Sequence, residues 1–136
     1  MQRLKEKVAI VTGASRGIGR SIARAYAVEG ANLIVTGRTA KDLDTLLDEI
    51  RKNSNASKAL SVPGSVLLID DVKRAVEVAV RQFGRIDILV NNAGIPGPVK
   101  ELEYISESEW DEVMETNVKG FFLFAREILP HMVNQL

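Results

Sequence analysis

The sequence predicts an α/β fold, a doubly wound parallel sheet of about four strands in the order 3-2-1-4 with flanking helices. Three observations predict it. Short apolar runs rich in β-branched residues indicate strands buried on both faces, which are typical of parallel sheets. Each run precedes a segment whose apolar residues recur at helical spacing. Gly, Pro or Asn separates the segments, and strict alternation of strand and helix with right-handed crossovers produces a parallel sheet.

The first strand and helix are the clearest elements. Residues 8–11 read Val-Ala-Ile-Val and lie directly before a Thr-Gly pair. A helix is predicted from Gly17 to about Glu29, because apolar residues recur at helical spacing and Gly30 stands where a helix would stop. This strand and helix form the first βα unit.

The same unit then repeats. Residues 33–35 predict a second strand, and the leucines that follow predict an amphipathic helix ending near Asn53-Ser54-Asn55. A weaker third strand is predicted over residues 59–62, a helix follows and ends at Phe83, and residues 88–90 form strand four. Residues 7–62 therefore supply one complete βαβαβ half, whereas the second half has a single strand, so we expect an incomplete sheet.

Only helices are predicted beyond strand four. Ser106 to Glu109 has the pattern of an N-cap and capping box, and it opens a helix through Met114. A separate final helix is predicted to run from Val118 toward Leu136. Its apolar residues lie on more than one face, which favours self-association of the chain.

Length and composition indicate one soluble domain. The chain has 136 residues, with 18 Lys+Arg, 18 Asp+Glu and no Cys. We expect a single domain over residues 1–136, no disulfide framework, no thiolate metal site and no metal cofactor. No stretch approaches the length of a membrane helix and no signal-peptide core is present, so the cytoplasm is the default compartment.

The balanced charge conceals an asymmetry. Residues 1–60 hold 11 Lys/Arg against 6 Asp/Glu, whereas residues 61–136 hold 7 against 12. An anionic ligand should therefore prefer the first half. Zero net charge without a basic run argues against nucleic-acid binding, which requires clustered cations.

A glycine-rich segment lies between the first strand and the first helix. Gly13, Gly17 and Gly19 would allow a tight turn and close approach of the backbone to a pyrophosphate, and the helix N-terminus offers N–H groups. No Lys-Ser/Thr pair follows the last glycine, which argues against a nucleoside triphosphate loop. A glycine-rich connection without a ligand is the alternative. The position between strand and helix favours a dinucleotide site in a Rossmann-like fold.

The end of the second strand predicts the cofactor. An acid in this region accepts hydrogen bonds from the adenosine ribose 2′-hydroxyl and repels a 2′-phosphate. Here that position is Gly37, and Arg38 follows it. Arg16 in the glycine loop supplies a second cation. The pair favours NADP(H) over NAD(H), and two solvated surface arginines are the alternative.

Three motifs together resemble those of the short-chain dehydrogenases/reductases in their single-domain form. They are Thr12-Gly-x-x-x-Gly17-x-Gly19, Asn91-Asn-Ala-Gly94 directly after strand four, and Asn117-Val-Lys-Gly120. The resemblance runs from about Lys7 to the last residue. Each motif alone is only suggestive, but all three in this order and spacing are highly specific.

The resemblance implies a role for each matching residue. The three glycines would bind the cofactor pyrophosphate, lined by Ser15, Arg16 and Ile18. The strand-four motif would run beneath the adenosine ribose and steady the sheet through Asn92, Ala93 and Gly94. Asn117 would help hold a water-linked proton relay near the catalytic lysine, and would therefore be a catalytic residue. The alternative is that Asn117 is a helix-kinking polar residue between Thr116 and Val118, which is compatible with the same role.

The chain departs from the family after strand three. The family usually has an Asp-Val pair there whose aspartate contacts adenine, and Ser65-Val66 occupies the matching position. We expect Ser65 and Val66 to lie at the adenine end, with one hydroxyl hydrogen bond in place of the acidic contact. The apolar residues that follow are unusual for the start of a helix.

A larger departure concerns the catalytic residues. Family members carry a serine after strand five and a Tyr-x-x-x-Lys pair on the next helix. Neither Tyr26 nor Tyr104 is followed by lysine four residues later. We therefore expect residues 1–136 to be the NAD(P)-binding domain of an NADP(H)-dependent oxidoreductase, truncated before the catalytic residues and inactive alone. Its substrate would be a small carbonyl or alcohol. The alternative is a non-enzymatic dinucleotide-binding or interaction fragment.

Overall fold

A computed structural model of the chain describes residues 1–53 and 58–136. The elements alternate as predicted: β1 (Val8–Val11), α1 (Gly17–Val28), β2 (Asn32–Val35), α2 (Ala40–Asn53), β3 (Ala59–Ser61), α3 (Ile69–Phe83), β4 (Ile88–Val90), α4 (Glu107–Met114) and α5 (Gly120–Asn134). The predicted end of the second helix agrees at Asn53, whereas its Ser54-Asn55 portion lies outside the described residues.

The predicted sheet is confirmed. The four described strands pair in the order β3-β2-β1-β4, and every pair is parallel. The register aligns Val11 with Val35 of β2 and with Val90 of β4. Because parallel strands point the same way, the segments that follow β1, β2, β3 and β4 all emerge at one edge of the sheet.

The core lies on both faces of this sheet. Successive side chains of a strand point to opposite faces, so the buried residues of β1 and β2 divide into two sets. Ala9, Val11, Leu33 and Val35 belong to the apolar cluster that includes residues of α1 and α2. Ile10 and Ile34 belong to the cluster formed with α3 and α5. Burial on both faces explains why these strands are continuously apolar.

The last two predicted helices are present as α4 and α5. The backbone between them stays helical through a wide π-type turn, Glu115–Lys119, and the sequence did not predict this continuity. The residues at both ends of this turn, Met114, Glu115, Lys119 and Gly120, adopt right-handed helical angles. No proline or left-handed glycine interrupts the segment. The predicted capping box is confirmed: Ser106 Oγ accepts from Glu109 N–H at 3.2 Å, and Glu109 Oε2 accepts from Ser106 N–H at 2.9 Å.

The helices have lengths ordinary for an α/β domain. The longest in the described ranges, α3 and α5, contain 15 residues each. Across residues 1–53 and 58–136, no helix combines the length and apolar character that crossing a membrane requires.

Candidate functional site

An open cleft of about 600 Å³ lies at the carboxyl edge of the sheet. It is lined by residues that follow each of the four strands: Gly13, Ser15, Arg16, Thr36, Gly37, Arg38, Thr39, Asp42, Gly64, Ser65, Val66, Leu67, Asn92, Ala93, Gly94, Ile95 and Thr116. In doubly wound sheets ligands bind at this edge, where the chain leaves neighbouring strands in opposite directions. A groove of similar volume between α1 and α2 has no strand-end residue in its lining.

The glycine turn forms one wall of the cleft. Gly13 and Gly17 have φ angles of +62° and +60°, a region that residues with a Cβ rarely adopt. A Cβ on Gly13 would lie 2.8 Å from Ala93 Cα, whereas nothing lies within 4 Å of a Cβ on Gly17. Gly13 therefore permits close packing against the segment after β4. Gly17 leaves open space beside the first turn of α1.

Gly19 serves packing inside the turn. It is buried, and a Cβ there would overlap both the Gly13 carbonyl oxygen and the Asn92 side-chain amide. Arg16 occupies the N-cap position of α1, and its side chain makes no capping hydrogen bond. A guanidinium has no acceptor, so the first N–H groups of the helix point toward an open position that suits an anion.

A hydrogen-bond network ties the floor of the cleft together. The Thr12 side chain is buried, and its Oγ1 accepts from the N–H groups of Asn92 and Ala93, both at 3.0 Å. The Asn92 amide donates in turn to the carbonyl oxygens of Thr12 at 3.2 Å and Gly13 at 3.1 Å. The segment after β4 is thereby fixed to the glycine turn after β1. This contact explains why an Asn-Ala-Gly sequence suits that position.

Two arginines lie at the opening of the cleft. Arg16 and Arg38 are exposed, both line the cleft, and neither forms an ion pair with any part of residues 1–53 or 58–136. Gly37 lets the chain pass close to the Ser15 hydroxyl. That hydroxyl oxygen is buried and has no hydrogen-bond partner among the described residues. Two unpaired cations and an unpartnered hydroxyl fit the phosphate and ribose of a dinucleotide.

One acid also lines the cleft, and the sequence analysis did not single it out. Asp42 lies in the first turn of α2, where a carboxylate is stabilised by the positive end of the helix dipole. It follows Arg38 by four residues, so the start of α2 carries both signs of charge. Its proximity to the second strand is the signal that would have identified it.

The segment after β3 is organised by an aspartate from α3. Asp71 Oδ2 accepts from the Ser65 N–H at 2.8 Å, and Asp71 Oδ1 pairs with Arg74 at 3.0 Å. Ser65 Oγ accepts from the Leu67 N–H at 3.2 Å. The carboxylate thus holds the loop, and the Ser65 hydroxyl proton is left for another acceptor. Leu67 lines the cleft, which accounts for its apolar character.

The Asn117 side chain forms hydrogen bonds with the backbone of Ile95 and does not line the cleft. It lies in the wide turn between α4 and α5, its Oδ1 accepts from the Ile95 N–H, and its Nδ2 donates to the Ile95 carbonyl, both at 2.8 Å. Ile95 and Thr116 line the cleft, but Asn117 does not. In this arrangement Asn117 holds the segment after β4 in place.

Nine of the twelve predicted binding residues line the cleft, and three do not. Gly17 and Gly19 lie in the first turn of α1, next to the lining residues Ser15 and Arg16, and Ile18 is 74% exposed. Several cleft residues were missed: Thr36, Thr39, Asp42, Gly64, Leu67, Ile95 and Thr116. Most of these residues lie within a few positions of a strand end, and Thr116 directly precedes the predicted Asn117. Position relative to the strands and to the predicted residues was therefore the usable signal.

Residues 7–136 match the family model described as short chain dehydrogenase. The chain is 42% identical over 130 residues to the 3-oxoacyl-acyl-carrier-protein reductase FabG of Staphylococcus epidermidis, a match covering 95% of this chain and 52% of that protein. It is 35% identical over 134 residues to Dehydrogenase/reductase SDR family member 4 of Caenorhabditis elegans, covering 98% and 51% respectively. The chain spans about half the length of the curated relatives it matches.

Solved structures show the same fold. Levodione reductase has a TM-score of 0.94 at 30% identity, covering 98% of this chain and 52% of that one. A metagenomic short-chain oxidoreductase in complex with NADP has a TM-score of 0.88 at 33% identity, covering 97% and 59%. The 3-ketoacyl-(acyl-carrier-protein) reductase of Brucella melitensis complexed with NADH has a TM-score of 0.88 at 35% identity, covering 96% and 52%. Because these neighbours include complexes with both cofactors, similarity alone does not decide between them.

Proposed function

Because this chain belongs to the short chain dehydrogenase family, we propose that residues 1–136 form the cofactor-binding domain of an NADP(H)-dependent oxidoreductase. The reaction would be hydride transfer between the nicotinamide ring and a small carbonyl or alcohol. One observation carries the cofactor assignment: Arg16 and Arg38 both line the cleft, and neither has an ion-pair partner in the described ranges. Two unpaired guanidinium groups suit a 2′-phosphate, which they can bind in a bidentate manner.

We propose the following placement of the cofactor in the cleft. The pyrophosphate would lie at the first turn of α1, beside Gly17 and the Arg16 backbone. The adenosine ribose would lie over Asn92 to Gly94, with its 2′-phosphate between the two arginines. The base would lie against Ser65, Val66 and Leu67, where the free hydroxyl proton of Ser65 can donate to a ring nitrogen. When bound, the nicotinamide supplies or accepts the hydride.

Residues 1–136 are proposed to bind the cofactor without turning it over. A carbonyl reduction needs a proton donor within hydrogen-bond reach of the substrate oxygen. No tyrosine, lysine or histidine is among the described residues that line the cleft. Tyr104 is 67% exposed on a short turn, and Tyr26 packs against the apolar cluster that includes residues of α1 and α2. The chemistry therefore needs residues that this segment does not supply.

A titration tests this function directly. We expect NADPH fluorescence to change saturably when the chain is added, with a lower dissociation constant than NADH. Binding of NADPH should weaken as salt rises, because the two arginines are exposed and their attraction for phosphate is screened. Oxidation of NADPH with a panel of aldehydes and ketones should stay at the rate of the cofactor alone. Absence of NADPH binding by the folded chain, or clear turnover, would contradict the proposal.

We also propose that the chain self-associates through α4 and α5. These helices expose a row of large apolar side chains: Trp110, Met114, Val118, Phe122, Leu129 and Val133. Ordinary protein surfaces expose apolar residues singly, whereas a continuous row of exposed apolar side chains is typical of an interaction surface. Multi-angle light scattering should give a mass above that of one chain, and Phe122→Glu with Leu129→Glu should lower it. A single sharp species of 14.9 kDa for the unaltered chain would refute this expectation.

A further inference from the structure

Arg20 connects two segments that border the cleft. It lies on the first turns of α1, and its Nη1 donates to the carbonyl oxygen of Ser15 and to that of Asp42, both at 3.0 Å. Its Nη2 donates to Glu49 Oε1 at 2.7 Å. One guanidinium therefore holds the glycine turn, the start of α2 and the middle of α2 together. The planar fork of arginine holds its acceptors in one fixed geometry, whereas a lysine ammonium is a point charge on a flexible stem.

The two carbonyl groups adjoin the two cleft arginines. Ser15 immediately precedes Arg16, and Asp42 lies four residues after Arg38 in the first turn of α2. The hydrogen bonds from Arg20 therefore link the segments that carry Arg16 and Arg38. Arg20 itself is not among the residues that line the cleft. Arg20 can therefore influence the geometry of a ligand in the cleft only through the segments of Ser15 and Asp42.

The charge of Arg20 is matched where it lies. Its side chain is 20% exposed, and it forms an ion pair with Glu49 at 2.7 Å. The hydrogen bond from Arg20 holds the pKa of the Glu49 carboxyl below its ordinary value, so Glu49 stays ionised at neutral pH. Arg24 approaches the other Glu49 oxygen at 3.7 Å. Because a carboxylate offsets the guanidinium charge, attraction of a distant phosphate by Arg20 is weak.

We propose that Arg20 is a positioning residue that sets the spacing of Arg16 and Arg38 and thereby the preference for a ligand with a 2′-phosphate. The inference rests on the proposed function, because it assumes that the cleft binds an adenine nucleotide. Arg20 contributes through geometry rather than through its own charge. Its loss lets the glycine turn and α2 move apart, so that a 2′-phosphate no longer meets both arginines.

The test compares two ligands that differ only in the 2′-phosphate. Calorimetric titrations of the chain with adenosine 2′,5′-bisphosphate and with 5′-AMP give a ratio of affinities. In Arg20→Met we expect this ratio to fall about tenfold, the effect of losing one hydrogen bond between a phosphate and a charged group. Binding of 5′-AMP should change by no more than about twofold, since its phosphate lies at the helix N-terminus.

Arg24→Met is the matched control. Arg24 lies one helical turn after Arg20, carries the same charge and pairs with the same Glu49 carboxylate. Unlike Arg20, it donates no hydrogen bond to a backbone carbonyl within the described ranges. The ratio in this variant should stay within about twofold of that of the unaltered chain. An equal fall in both variants would show that charge near Glu49, not the contacts of Arg20, controls the preference, and would overturn the proposal.

Glu49→Gln separates geometry from charge in a second way. Glutamine retains an oxygen that accepts from Arg20, so the contacts to Ser15 and Asp42 can persist, while the guanidinium charge is no longer offset. We expect a ratio within about twofold of that of the unaltered chain. A clear rise would indicate direct attraction of the phosphate by Arg20 and would contradict the proposal. Circular dichroism shows whether Arg20→Met folds. If it does not fold, Glu49→Gln still tests the proposal.

The outcomes distinguish this inference from the proposed function. If the folded, unaltered chain binds neither ligand, the cofactor-binding function itself fails. If it binds both with equal affinity, the assignment of the 2′-phosphate to Arg16 and Arg38 fails. If it prefers the bisphosphate and Arg20→Met retains that preference, only the positioning role of Arg20 is overturned. A preference lost in Arg20→Met and retained in both other variants supports the proposal.

Discussion

Replacing Arg38 by aspartate is expected to lower the affinity for NADPH by about a hundredfold while changing that for NADH by less than about threefold. A hydrogen bond to a charged group contributes about 1.5–3 kcal/mol, and the new carboxylate adds repulsion of the phosphate. The same carboxylate can accept a hydrogen bond from the ribose 2′-hydroxyl of NADH. Parallel fluorescence titrations of the two reduced cofactors measure both effects on one preparation.

Lys41→Asp is the control for the change in overall charge. Lys41 is exposed in the first turn of α2, three residues after Arg38, and does not line the cleft. Its replacement alters the net charge by the same amount. We expect both cofactors to lose affinity equally and by less than about threefold, because exposed charges at a distance are screened. Equal losses for NADPH and NADH in Arg38→Asp would refute the assignment of Arg38 to the 2′-phosphate.

Replacing Gly19 by alanine should have the largest effect on folding among single substitutions in the glycine turn. The added Cβ would overlap the Gly13 carbonyl oxygen and the Asn92 amide, which is already held by hydrogen bonds to the carbonyl oxygens of Thr12 and Gly13. We expect the free energy of unfolding to fall by about 1–3 kcal/mol, the usual cost of overpacking a core. Urea denaturation followed by circular dichroism measures it, and an unchanged midpoint would contradict the role of Gly19 in packing.

Gly17→Ala should affect the ligand more than the fold. Gly17 and Gly84 have similar φ angles, +60° and +76°, and at both positions nothing lies within 4 Å of an added Cβ. Alanine at either should lower the free energy of unfolding by about 1 kcal/mol through backbone strain alone. Gly84 ends α3, far from the glycine turn, so Gly84→Ala is the matched control. We expect only Gly17→Ala to weaken NADPH binding by about tenfold or more, and equal binding by the two variants would count against a phosphate at Gly17.

Most of the fold was predictable because burial leaves a simple pattern. Residues 8–11 are apolar without interruption since both faces of β1 are covered, and the glycines at 30 and 84 mark helix ends. The continuous path from α4 to α5 was not predictable. Insertion of one residue into a helix at Glu115–Lys119 leaves no composition signal, because the turn is stabilised by contacts with Ile95, more than twenty residues away.

The site was predictable where local geometry alone decides it. The glycine turn and the Asn92 segment each follow a strand directly, so their place at the sheet edge follows from the topology. The role of Asp71 was not predicted although it lies only six residues after Ser65, because an acid in the first turn of a helix is common for its favourable interaction with the helix dipole alone. Arg20 was equally hidden: its three acceptors lie on the glycine turn and at two positions of α2, and an arginine on an amphipathic helix is usually a solvated residue.

The Thr12 hydroxyl has a consequence for the thermodynamics of binding. Because this hydroxyl accepts hydrogen bonds from the backbone N–H groups of Asn92 and Ala93, the floor of the cleft is preorganised before a ligand binds. Little conformational entropy of the backbone is lost there on binding. The loss falls instead on the exposed side chains of Arg16 and Arg38, each of which loses about 0.5–1.5 kcal/mol of rotamer freedom when immobilised. For the proposed cofactor, we therefore expect the entropic cost of binding to fall mainly on these two exposed arginines and little on the segment beneath them.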